Sequence, residues 1–241
     1  MLKISLILGT IAALADVVGG LVLVRAEGVE RYLRYFVALG AGFLMATALL
    51  EMMPEGLRLS PKLGPVLIMG GYCVVHLLEH TINAHFHYGE ETHTGEFVSQ
   101  RTGYSVLAGL SVHALFDGVA IGSGFALHDW LGWLIFLAIL LHKAPEGFTM
   151  ASVMLASGRS STAAFYSAVG LAVATLAGVL VIGLAPGLVL YGLPLSAGVA
   201  LYVAATDLVP EVNREPGIRM ALVFFAGVGA FLLLRMALPA L

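Results

Sequence analysis

Charge is what this chain has least of. Only 11% of its 241 residues are Asp, Glu, Lys or Arg, where a soluble domain carries about 25%, so an ordinary solvated surface is excluded. Basic runs are absent and the formal net charge is −3, which removes nucleic acid as a partner. A single cysteine, Cys73, rules out an internal disulfide; lying in an apolar stretch, it reads as a small packing residue. No HExxH string occurs, so a common helical signature of zinc hydrolases is missing. What the chain has instead is apolar length: 59% hydrophobic residues and a mean hydropathy of +0.96.

Windows of about 20 apolar residues mark spanning helices. They fall at 2–24, 34–54, 64–84, 104–127, 131–156, 162–184, 187–209 and 217–238. The fold predicted is all-α: a polytopic membrane protein, one domain over 1–241, with eight transmembrane helices in the lipid bilayer. The first window exceeds the h-region of a secretory signal and no small-residue cleavage site follows it, so it reads as a span. An even number of spans puts both termini on one side, with Lys3, Arg58, Lys62 and Arg235. The other side carries Arg25, Arg31, Arg34, Arg101, Arg159, Arg214 and Arg219. The more basic side is cytoplasmic, which places both termini outside the cell membrane. The 83–103 connection then lies inside; its His85, His87 and His93, with Glu90, Glu91 and Glu96, offer weak, mobile metal binding beside the plainer role of a polar linker.

Two strings inside this apolar sequence repeat one chemical idea: His113-Ala-Leu-Phe-Asp117-Gly118 and His142-Lys-Ala-Pro-Glu146-Gly147. Each sets an imidazole and a carboxylate four residues apart, on one face of a helix and one turn from each other. Ionisable groups at mid-bilayer cost roughly 2.5–3.5 kcal/mol each on insertion scales, so they mark function. Side by side, the two helices offer two nitrogens and two acidic oxygens to one cation, a set suited to Zn²⁺ or Fe²⁺ and less decidedly to Mn²⁺, Co²⁺ or Cd²⁺. Met45 could add a thioether at the same level, although core filling is its simpler role. Lys143 also falls within the membrane. It either snorkels to an interface or pairs with Asp117 or Glu146, filling the place of a second ion. His76 and His80 in the third span read first as packing residues.

A second pattern occurs twice: Glu51-Met-Met-Pro54-Glu55 ends the second span and Asp207-Leu-Val-Pro210-Glu211 the seventh. Spans one to three and six to eight then form inverted repeats around spans four and five, a three, two, three arrangement. The prolines kink or end their helices. Glu51 and Asp207, one turn deeper, read as residues along an ion path, while Glu55 and Glu211 read equally as solvated caps.

In these residues the chain resembles the ZIP family of divalent metal transporters. HALFDGVAIG and HKAPEGF match the family's fourth- and fifth-span signatures, and LLEMMPEG and LYVAATDLVPE resemble its second- and seventh-span endings. The resemblance implies eight spans, external termini, a histidine-bearing cytoplasmic loop, a homodimer, and import of a metal ion, zinc foremost, by alternating access of a bundle sliding against a scaffold. It implies His113, Asp117, His142 and Glu146 as ligands of an ion that is substrate and not resident cofactor. Members with two-metal centres place a polar residue after the first His, an acid after the second and another acid in span six. Here Ala114, Lys143 and, as the nearest polar residue in span six, Thr175 stand instead, which implies a single-metal site. His128 and Asp129 between spans four and five would draw the ion in. The rival readings are an intramembrane metal-dependent hydrolase, which needs an open coordination position and a base, and a sensor or scaffold that holds the ion without passing it.

Overall fold

The computed structural model describes residues 2–25, 30–82, 100–214 and 216–238. Among them there is no strand, and the chain runs back and forth as eight helical passes. The first span is Leu2–Arg25. The second runs over 30–59, through Glu30–Thr47, a wide turn Ala48–Met52, and Met53–Leu59. The third is Gly64–Ile82, the fourth Gln100–Leu127, the fifth Asp129–Ala156 and the sixth Ser161–Leu184. The seventh continues from a short 3₁₀ turn, Pro186–Leu188, through Val189–Tyr202, a wide turn Val203–Leu208, and Val209–Arg214; the eighth is Arg219–Ala237. Seven of these are long and apolar enough to cross a bilayer; the third contributes a shorter apolar stretch, Gly64–Glu79. The predicted loop histidines His85, His87 and His93 lie outside the described residues.

Pro54 and Pro210 neither end their helices nor leave them regular. A proline has no N–H for the carbonyl four residues back and its ring crowds that carbonyl. The backbone answers by widening the turn just before it: the Met53 N–H reaches back to the Ala48 carbonyl, and the Val209 N–H to the Ala204 carbonyl. Such single wide turns inside helices are frequent at functional sites. Beyond the prolines the helices run on, and Glu55 and Glu211 are paired with Arg58 and Arg214 at 3.0 and 3.2 Å. The repeated string is therefore longer than it first reads, extending to the arginine in both copies.

Helix pairing follows the same repeat. Span one packs on five, four on six, two on eight and three on seven. Exchanging one with six, two with seven, three with eight and four with five maps each of these pairs onto another. Small residues make the contacts, as expected where apolar lipid gives no hydrophobic drive and close packing must supply the attraction. A Cβ at Gly147 would collide with the Asp16 carbonyl oxygen and one at Gly19 with that of Ala144; the matching contacts are Gly118 on Thr175 and Gly178 on Leu115. The outer pairs repeat the device, Gly42 on Phe224 with Gly227 on Leu39, and Gly198 on Ile68 with Gly71 on Leu195.

Spans four and five are joined through His128 alone, which is extended and leaves both helices intact to within a residue. Because His113 and His142 are nearly equidistant from that hinge, the two motifs meet at one level, about 20 Å along each helix. Of the seven long apolar spans the fifth is the most enclosed, with 72% of its apolar window buried, against 17% for span eight. Cys73, expected among packed residues, lies exposed on the third span.

Candidate metal centre

The four residues singled out by spacing converge. His113, Asp117, His142 and Glu146 are all buried and each offers a donor atom within 4.8 Å of the others. Asp117 is the hub: its Oδ2 lies 3.3 Å from His113 Nε2 and 3.4 Å from His142 Nε2, while Glu146 Oε2 is 3.8 Å from His113 Nε2. Helix geometry places each carboxylate one turn below its own histidine, and Gly118 and Gly147 let spans six and one close in behind. The Nδ1–H of His142 is positioned to donate to the Ala138 carbonyl at 2.9 Å. That hydrogen bond fixes the tautomer whose Nε2 lone pair points into the cluster. One buried atom of the cluster, Glu146 Oε1, has no hydrogen-bond partner. Buried polar atoms are rarely left so, and unpartnered ones call for an explanation such as an ion.

Lys143 does not snorkel. It is wholly buried and its Nζ lies 2.7 Å from Glu146 Oε2 and 2.9 Å from Asp117 Oδ2. A third carboxylate faces it, Asp16 of span one, with Oδ2 at 3.7 Å. Asp16 is completely buried and neither of its oxygens has a hydrogen-bond partner. Motif spacing missed it, because it stands alone in its span. The rule that an acid inside an apolar span is functional until shown otherwise would have found it.

Of the residues read as an ion path, Asp207 reaches the centre's surroundings and Glu51 does not. A cavity lined by His113, His142, Glu146, Glu79 and Asp207 runs from the cluster between spans three, four, five and seven. Beside Glu79 and Asp207 lies a polar group: the Tyr202 hydroxyl donates to Glu79 Oε2 at 2.7 Å, and the Thr206 hydroxyl, which donates to the Tyr202 carbonyl at 2.6 Å, has its oxygen 3.2 Å from Asp207 Oδ1. Glu79 is another acid that motif reading passed over, although it stands between His76 and His80. His76 packs against the rings of Tyr72 and Tyr202. Glu51 is instead ion-paired with Arg235 of span eight. Met45 packs, half-buried, against the main apolar core. His128 and Asp129 are exposed at the tip of the hairpin, the histidine stacked on Trp130.

A family model for the ZIP zinc transporters matches residues 90–235. The chain belongs to that family. It is 25% identical over 250 residues to zinc transporter ZIP9 of Xenopus tropicalis, covering 81% of this chain and 80% of the relative. It is 34% identical over 125 residues to zinc transporter SLC39A7 of Homo sapiens, covering 47% of this chain and 27% of the relative. This ZIP member is thus a multi-pass membrane protein of metal ion transport, and the buried His and carboxylate cluster lies within the matched region. Spans one to three, with Asp16, lie before it.

Proposed function

We propose that this ZIP protein imports a divalent transition metal ion, zinc foremost, into the cytoplasm through a single-metal site formed by His113, Asp117, His142 and Glu146. The observation that carries this reading is the convergence of those four donors deep between spans four and five. A tetrahedral ion with bonds of about 2.0 Å holds its ligand atoms about 3.3 Å apart. The Asp117 contacts to both imidazoles have that spacing already. In the absence of the ion, the Lys143 ammonium occupies the carboxylates' company and stands where a second metal would in two-metal relatives. The relatives named zinc transporters support zinc as the substrate.

With termini outside, Glu79 and Asp207 fall toward the cytoplasmic ends of spans three and seven, so the cavity reaching them is the inward exit. Glu51 and Arg235 fall at the opposite ends of spans two and eight, where their ion pair closes the outer side. Alternating access is then a shift of the inner group, spans one, four, five and six, against the outer pairs two with eight and three with seven. Close glycine contacts within each pair keep the groups intact as they move. A homodimer in the cell membrane would anchor the outer group.

Reconstitution in lipid vesicles tests this. Wild-type protein should take up Zn²⁺ saturably, in competition with Fe²⁺, Mn²⁺ and Cd²⁺, and His142→Ala should fall to background. Tight binding without flux would instead favour a hydrolase, sensor or scaffold.

A further inference from the structure

We infer that Asp16 is the residue that receives Lys143 when an ion binds, and that it thereby sets the charge of the site for a divalent cation. This rests on the transport-site reading above. Three carboxylates, Asp16, Asp117 and Glu146, surround one ammonium in a fully buried space. With both imidazoles neutral, as metal binding requires, these four groups carry two net negative charges, matched by one M²⁺. An ion bound to Asp117 and Glu146 takes from Lys143 its two near partners, at 2.9 and 2.7 Å. An ammonium left alone in that space repels the ion, and at low effective dielectric such repulsion is large. Asp16 is the remaining carboxylate beside it among the described residues, 3.7 Å away with both oxygens lacking hydrogen-bond partners. A small swing of the lysine side chain closes that distance. Asp16 does not itself reach the four donors; it acts through Lys143 and is a positioning residue.

The corresponding place in span six shows that packing does not require the acid. Thr175 occupies it, opposite Ala114 in place of Lys143, and satisfies its hydroxyl on the Leu171 carbonyl of its own helix.

Zn²⁺ binding to purified protein and Zn²⁺ uptake by vesicles, each measured for four forms, test the inference: wild type, Asp16→Asn, Lys143→Met and the double variant. Asp16→Asn should weaken Zn²⁺ binding by about tenfold or more and raise KM accordingly. The double variant, which restores two net negative charges, should return to within about threefold of wild type. If Asp16→Asn does not accumulate but the double variant does, the double variant decides: Zn²⁺ binding within about threefold of wild type supports the inference, and a loss of about tenfold or more overturns it. A double variant that binds Zn²⁺ no more tightly than Asp16→Asn, no loss from Asp16→Asn at all, or failure of both Asp16→Asn forms to assemble, would each overturn it. Absence of uptake by wild type would strike the transport reading instead, and the binding series would still decide the role of Asp16.

Discussion

Spans one and five meet in the same way as spans six and four, and the two contacts carry different chemistry. Gly19 and Gly147 bring the first pair together against the carbonyls of Ala144 and Asp16; Gly178 and Gly118 do so for the second against those of Leu115 and Thr175. At matching positions the first pair presents Asp16 and Lys143, both wholly buried, and the second Thr175 and Ala114, equally buried. The backbone arrangement therefore tolerates either a charged pair or a neutral one. What differs is the effect on the cluster between them: one flank supplies a tethered cation and its counter-ion, the other only shape. The repeat gives the scaffold, and its broken symmetry gives the electrostatics.

Removing the tethered cation should break the comparison most strongly. Lys143→Met strips Asp117 and Glu146 of their shared partner, and loss of one member of a buried ion pair costs about 3–5 kcal/mol. The metal-free variant should melt well below wild type in detergent, recover with Zn²⁺, and still bind one ion per protomer. Two Zn²⁺ at this site in wild type would refute the idea that the lysine occupies the second ion's place. Next come the glycines, where the two flanks should behave alike. Gly147→Val and Gly118→Val each drive a side chain into a carbonyl of the neighbouring helix, and overpacking costs about 1–3 kcal/mol or more. Similar falls in melting temperature are expected; a loss confined to Gly147→Val would mean that the contact depends on the charged pair. The smallest effect belongs to Thr175→Val. It forfeits one hydrogen bond within a helix, worth about 1 kcal/mol, and Zn²⁺ uptake should stay near the wild-type rate, in contrast to Asp16→Asn.

Much of the fold was legible because the bilayer leaves so few options. Apolar windows located the passes to within a few residues at most ends, since every backbone polar group in lipid must be satisfied within a helix. The His113 and His142 strings were legible for a related reason: identical spacing recurring in two adjacent helices is hard to produce by packing alone. The effect of Pro54 and Pro210 was only half visible. A proline announces an irregularity, but whether the helix stops, kinks or widens depends on what continues to pack beyond it, here the segments to Leu59 and Arg214. Asp16 and Glu79 were passed over because each is a single acid with no repeating partner in sequence. Their partners, Lys143 and Tyr202, lie on other helices.

Composition and period by themselves determined an all-helical membrane protein and the four residues able to hold a cation, because hydropathy and helical spacing are local properties. Tertiary structure alone decided that Lys143 stands among three carboxylates, that Glu51 answers to Arg235 and Asp207 to the cavity, and that the two halves differ in charge. Those outcomes depend on which side chains from distant segments come within a few ångströms, and Coulomb interactions in a low-dielectric interior turn on that separation.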